Sequence, residues 1–200
     1  SLDYAVNLLG KKFLIVDDKN VSSVVLKRIL IKREASVDIL IDPKDVSNMI
    51  KNNAYDAIFI EYDMEYTGNW SELIVTCSEE LSQYDFLSCE IQRYNWKLYS
   101  DWMWWKNQNK VGYPLEMCVK GFNPICRYSN SALSYIDSYL KKGFWAHSEV
   151  MITTCLYNAN FKIGDLGGTG EFVPDGFENR FYISKKTVRY RPFYTKPEIE

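Results

Sequence analysis

Two carboxylates close an apolar run, Ile58-Phe59-Ile60-Glu61-Tyr62-Asp63. Neighbours in a strand point to opposite faces, so positions i and i+2 share one, and the side chains of Glu61 and Asp63 can converge on a single hard cation. Paired oxygen donors suit Mg²⁺ or Mn²⁺, which keep several waters and take a diphosphate on their remaining sites. The same spacing also fits a strand that turns polar where it meets solvent. A second acidic pair, Asp17-Asp18, follows the apolar run Lys12-Phe13-Leu14-Ile15-Val16. At the end of a strand these carboxylates either contact a nucleotide or cap the following helix, whose unsatisfied amides and dipole favour negative charge. Arg127, Arg189 and Arg191 are candidate phosphate clamps, because a guanidinium offers two parallel donors to phosphate oxygens.

These groups need a scaffold, and the first third of the chain supplies one. Lys12 to Val16 predicts a strand, and Val21, Val24, Val25, Arg28, Ile29 and Lys32 at helical spacing predict a helix after it. Val37 to Ile41 predicts a second strand. Asp42 then caps, and Pro43 opens, a helix that reaches Asn52 on Val46, Met49 and Ile50. The third strand is Ala57 to Tyr62. Short apolar strands separated by amphipathic helices imply a parallel sheet covered on both faces, with ligands bound at the carboxyl ends of its strands. Both acidic pairs fall there. From Gly68 the pattern turns aromatic, with Trp96 and Trp102-Met103-Trp104-Trp105, and its weaker periodicity predicts mixed α+β structure packed on the first sheet. Helices are expected from Ser131 to Lys141, capped by Ser129 or Asn130, and from Ser148 to Asn158. Further strands are expected at Phe161 to Ile163, Arg180 to Ser184 and Thr187 to Arg191.

Composition narrows the function classes. The 200 residues suit one domain, and 46% hydrophobic with 25% charged residues exclude disordered, collagen-like and membrane-embedded chains. With 24 Lys plus Arg against 26 Asp plus Glu, the net charge of -2 gives no overall field for nucleic acid or an anionic membrane. An anionic ligand must therefore be held by a local site. The single His rules out a multi-His metal site within one chain. Cys77, Cys89, Cys118, Cys126 and Cys155 include no C-x-x-C pair, so neither a zinc knuckle nor a redox dithiol is expected, and reduced buried thiols point to the cytoplasm. No run approaches the ~18 apolar residues of a membrane span, which predicts no integral membrane segment. There is no linker, repeat or low-complexity segment.

Two resemblances are carried by identifiable residues. Ile15-Val16-Asp17-Asp18, followed by helix, strand, helix and Tyr55-Asp56-Ala57-Ile58-Phe59-Ile60-Glu61, resembles the first half of a response-regulator receiver, with Glu61 at the phospho-acceptor position. That likeness implies a non-enzymatic signalling or interaction domain. It lacks the later Thr/Ser strand, Lys110 is not followed by Pro, and more than half the chain stays unexplained. The longer resemblance runs from residue 55 to 193. The stretch from Ile60 to Trp70, the cluster Asp101 to Trp105, Phe122-Asn123-Pro124-Ile125-Cys126-Arg127-Tyr128-Ser129, and Gly143-Phe144-Trp145-Ala146-His147-Ser148-Glu149-Val150 carry it in order. Asp165-Leu166-Gly167-Gly168-Thr169-Gly170-Glu171-Phe172-Val173-Pro174 and Arg189-Tyr190-Arg191-Pro192 complete it. Together they resemble small nucleotide-sugar-dependent glycosyltransferases of the GT-A fold, of the kind found in bacterial surface-polysaccharide pathways and large viruses.

That resemblance implies an α/β, GT-A-like (Rossmann-like) mixed sheet with helices on both faces and an aromatic-rich α+β second half. It implies a single glycosyltransferase domain over residues 1–200, with a nucleotide-binding half at 1–66 and an acceptor-binding, catalytic half at 67–200. The activity implied is metal-dependent transfer of a sugar from a nucleotide diphosphate donor, a UDP-sugar, to a glycan hydroxyl. Glu61-Tyr62-Asp63 matches the family's acidic triplet, with Asp63 as metal ligand and Glu in place of the first Asp, at the ribose or in the metal's water shell. His147-Ser148-Glu149 matches the start of the helix below the acceptor, which makes Glu149 the general base of an inverting enzyme and His147 a further candidate ligand. Asp165 and Glu171 are next in line as base. The chemistry fits: a departing diphosphate needs its charge neutralised, and an incoming hydroxyl needs its proton taken. Asp17, Asp18, Glu61, Arg127, Arg189 and Arg191 would face the nucleotide, and Trp104 and Trp105 would offer flat faces to a pyranose ring.

Overall fold

The computed structural model describes residues 12–16, 34–40, 56–60, 65–66, 75–94, 102–179, 182–183 and 193–195, with a few single residues besides. Asp17, Asp18, Glu61, Asp63, Arg189 and Arg191 lie outside the described residues, as does the strand expected at 187–191. So do the helices expected after the first two strands, except that Lys27, Arg28 and Ile31 are helical.

The chain is a mixed α/β protein. Its strands are β1 (Lys12–Val16), β2 (Ser36–Leu40), β3 (Asp56–Ile60), β4 (Glu65–Tyr66), β5 (Phe86–Arg93), β6 (Val119–Tyr128), β7 (Ile163–Asp165), β8 (Tyr182–Ile183) and β9 (Phe193–Thr195). Among the described residues the α-helices with defined ends are α1 (Asn130–Lys141) and α2 (Ser148–Asn158), beside short non-α helices such as Met103–Lys110. Six strands form one sheet in the order β2-β1-β3-β6-β5-β7, and β4-β9-β8 form a smaller one. The expected parallel core is present, since β1 pairs parallel with β2 and β3. It does not extend across the sheet, because β6 runs antiparallel to both β3 and β5, while β7 is again parallel to β5.

Sequence patterning misses β5 and β6, the two longest of the described strands. β6 is buried along nearly its whole length, so the period-two alternation of a half-exposed strand is absent, and Gly121 and Pro124 interrupt its apolar run. β7 begins two residues after the expected start at Phe161, because Phe161 N–H first closes the end of α2 on the Leu156 carbonyl at 3.0 Å.

α1 begins where Ser129, in extended conformation, accepts the Ala132 N–H on its hydroxyl at 3.2 Å, and it buries Ala132, Leu133 and Tyr139. α2 is buried on most of its surface, through Val150, Met151, Thr153, Thr154, Cys155 and Leu156. Its two threonines are satisfied locally. Thr154 Oγ1 accepts the Val119 N–H at 3.0 Å and donates to the Val119 carbonyl at 2.9 Å, and Thr153 Oγ1 donates to the Glu149 carbonyl at 3.3 Å. Gly121 lets the helix come this close, since a Cβ there would lie 2.8 Å from Thr153 Oγ1. The core between α2 and the sheet holds Phe86, Ile91, Trp105, Val119, Tyr128 and Ile163. All five cysteines are buried and none forms a disulfide, and burial pushes the Cys77 and Cys155 thiols up to about 12. They are packing residues, not reactive ones.

Candidate functional site

β5 and β6 do not pair regularly. From Leu87↔Arg127 the register moves to Cys89↔Phe122, and then to Gln92↔Lys120, so each strand bulges once. The bulge in β5 places Glu90 at φ +47, a left-handed conformation costly for a long side chain. Next to it, Ile91 N–H donates to Asp165 Oδ2 at 2.8 Å.

Asp165 ends β7 opposite Ser88 and is 1% exposed. Its other oxygen, Oδ1, accepts the N–H groups of Gly167 and Gly168 at 3.0 and 2.9 Å, so one carboxylate holds three backbone donors. The Gly167-Gly168 pair is thereby explained: Gly167 has φ +139, and a Cβ on Gly168 would lie 3.3 Å from Asp165 Oδ1. The loop is folded back further by Asp165 N–H on the Phe172 carbonyl at 2.7 Å and Asn179 N–H on the Gly168 carbonyl at 3.0 Å.

Lys120 of β6 is 4% exposed and lies in the field of three carboxylates from three other elements: Glu90 of β5, Glu149 of α2 and Asp165 of β7. Burial lowers its pKa, and those carboxylates hold it up. Its ammonium also sits 5.4 Å from the centre of the Trp102 ring. Glu90 is pushed above its ordinary value by burial, with Lys120 opposing and Asp165 reinforcing the shift. Asp165 is also raised by burial, against the pull of its three amide donors and Lys120. On the β6 side of this cluster, Ser88 Oγ lies 2.7 Å from Asn123 Oδ1 and 2.8 Å from the Phe122 carbonyl. Motif and spacing mark neither Glu90 nor Lys120. The available signal is the placing of single charges in segments otherwise built of buried residues.

Of the expected site residues, Glu149 joins this cluster. It stands in the first turn of α2, with its side chain 17% exposed and Oε2 3.7 Å from His147 Nδ1. The His147 ring stacks on Trp104 with centroids 4.0 Å apart and planes within 8°. Burial lowers its pKa, so it is neutral at pH 7, and its Nδ1 is buried without a hydrogen-bond partner. Trp104 therefore gives one face to His147. Trp105 is 4% exposed and packs edge-on against Tyr94 and Trp102 in the core, so it presents no open face. Arg127 is buried on β6 and donates to the Tyr84 carbonyl, a structural contact rather than a clamp on the outer surface. Glu171 pairs with Arg93 at 2.6 Å on the exposed rim. β3 ends at Ile60, opposite Ile125 of β6, and the next β6 residues in that direction are Pro124, Asn123 and Phe122. Among the described residues no group of three or more His, Cys, Asp or Glu side chains is spaced to hold a metal ion. None of the described helices is long and apolar enough to cross a membrane.

No family model matches the chain, and no solved structure matches it. A segment of 60 residues, 29% of the chain, is 38% identical to Stress response regulator protein 1 of Lodderomyces elongisporus. The match covers 17% of that protein's length.

Proposed function

We propose that the chain is a GT-A-like glycosyltransferase that moves a sugar from a nucleotide diphosphate donor, a UDP-sugar, to a glycan hydroxyl, with Glu149 as general base. One observation carries this reading: Glu149 from the His147-Ser148-Glu149 motif and Asp165 from the Asp165-Leu166-Gly167-Gly168 motif lie around a single buried lysine. These motifs are separate in sequence and belong to the same resemblance. Glu149 can reach a substrate hydroxyl because it is the member on a helix start with solvent access, whereas Asp165 is saturated by amides. The charge of Glu149 acts on Lys120, helping to hold the lysine's pKa up against burial, and an ionised carboxylate is the form that accepts a proton.

Asp63 with Glu61 would hold Mn²⁺ or Mg²⁺, as oxygen donors suited to either ion, and the metal would offset charge on the departing diphosphate. His147 fits a nitrogen donor in two respects, since it is neutral and its Nδ1 has no hydrogen-bond partner. A cytoplasmic setting accords with five reduced cysteines.

A second reading is favoured by the match to the stress response regulator, whose name makes a receiver-like signalling module the alternative, with Glu61 at the phospho-acceptor position. The order β2-β1-β3, all parallel, is common to receiver-like sheets. In such sheets the strand beside β3 is also parallel, whereas here it is the antiparallel β6. This favours the transferase.

A panel of UDP-sugars with Mn²⁺, scored for donor hydrolysis, tests the activity, and hydrolysis of none would end the reading. Glu149→Gln keeps shape but accepts no proton, so turnover should fall by roughly 100-fold or more at nearly constant donor affinity. A variant keeping more than half of wild-type turnover would remove Glu149 as the base.

A further inference from the structure

The end of α1 and its connection to α2, Leu140-Lys141-Lys142-Gly143-Phe144-Trp145, play no part in the polar cluster, yet they expose three large apolar side chains in six residues. Trp145 is 62% exposed, Leu140 44% and Phe144 36%. Isolated apolar residues on a surface need no explanation, but a concentrated group does.

The segment is held in place. Gly143, at φ +88, turns the chain out of α1 with its N–H on the Leu140 carbonyl at 2.9 Å, and Trp145 N–H bonds the Lys110 carbonyl at 3.1 Å. The Phe144 ring stacks on Tyr139 with centroids 4.9 Å apart and lies against Gly112, where a Cβ would come within 2.5 Å of it. The indole of Trp145 is therefore presented by a fixed turn.

Its surroundings are cationic. The Lys110 ammonium sits 5.2 Å from the centre of the Trp145 ring, Lys141 and Lys142 lie within the segment, and Asp137 pairs with Lys141. Lysine is depleted in the cores of protein interfaces, whereas lysine beside tryptophan suits the headgroup layer of a membrane, where alkyl stems and indole lie among lipids and ammonium groups meet phosphates. With a chain net charge of -2, this attraction belongs to the patch and not to the molecule.

We infer that the end of α1 and the α1–α2 connection dock the protein on an anionic lipid surface, with Trp145 and Leu140 entering the headgroup layer and Lys110 and Lys142 facing the phosphates. The docking is independent of the glycosyltransferase reading, because it is measured by binding and not by turnover.

Sedimentation of the whole chain with vesicles tests it. The protein should sediment with phosphatidylcholine mixed with phosphatidylglycerol, stay in solution with phosphatidylcholine alone, and be released by salt. Trp145→Ser should weaken binding about tenfold, as should Lys110→Gln combined with Lys142→Gln, with circular dichroism and melting unchanged. These side chains lie outside the core, so both variants should fold. Failure of the wild-type chain to sediment with anionic vesicles would overturn the inference, and so would undiminished binding in both variants. A wild-type dimer that Trp145→Ser dissociates, without vesicle binding, would assign the patch to a second copy of the chain and overturn it equally.

Discussion

Glu90 combines two costs that a protein does not ordinarily accept at one position. Its backbone is left-handed, and burial pushes its carboxyl above the ordinary 4.5 while Asp165 adds to the shift and Lys120 opposes it. A carboxyl whose folded pKa is raised favours the fold fully below its unfolded pKa, and that contribution is lost as pH rises through the folded value. Stability should therefore decline from about pH 4.5 upward on account of Glu90, and Asp165, raised by burial, acts in the same direction. His147 is lowered by burial and has the opposite sign, its contribution being lost as pH falls through its folded value. Glu90→Gln leaves Asp165 and His147 in place and removes one part of the decline. The urea midpoint at about pH 7 minus that at about pH 4 should accordingly be more positive in the variant than in the wild type, whatever the sign set by Asp165 and His147. A difference that is unchanged or shifted the other way would show that Glu90 is not held uncomfortably in the fold. Glu90 has no signature in the sequence, because neither its φ nor the lysine beside it follows from local pattern. Glu149 is visible there as an acidic residue in a first helical turn, but its approach to Lys120 is not.

The elements differ in how openly the sequence declares them. β1, β2 and β3 are apolar runs with turn residues around them, and α1 carries its cap at Ser129, so all four are legible. β5 and β6 are hidden by the residues that make the site: Ser88, Glu90 and Gln92 on one, Lys120 and Asn123 on the other, placed where a plain strand would carry Val or Ile. What holds these strands and β7 in their irregular register is the Asp165 carboxylate, which gathers amides from β5 and from its own loop. Asp165→Ala should strand three buried N–H groups, at about 1–3 kcal/mol for each that finds no water. Chemical denaturation should show a loss of more than about 3 kcal/mol, and protection of the Ile91, Gly167 and Gly168 amides against hydrogen exchange should fall together. A loss near zero would mean that the loop is held by Phe172 and Asn179 without the carboxylate.

At the scale of the molecule the two candidate functions share one third of the chain and part at β6. A β2-β1-β3 parallel core serves a receiver or a nucleotide crevice equally well, and a 60-residue match to one regulator does not choose between them. An antiparallel central strand whose polar residues meet α2 and the β7 loop belongs to the second half, which the receiver reading leaves unexplained. Ligand linkage separates the two without knowledge of the sugar or the acceptor. A ligand that binds only the folded state at about 100 times its dissociation constant adds about 2.7 kcal/mol, which for a chain of this size raises the melting temperature by roughly 5–10 °C. The transferase should show that rise with UDP and Mn²⁺ together and much less with either alone, because the diphosphate and the cation complete each other's coordination. A receiver-like module should respond to Mg²⁺ alone and be indifferent to UDP. Asp63→Asn distinguishes a specific response from general screening by divalent ions: it should abolish the joint UDP and Mn²⁺ shift while leaving the melting temperature without ligand unchanged. A joint shift that survives in Asp63→Asn would place the nucleotide elsewhere in the molecule and leave the acidic triplet without its role.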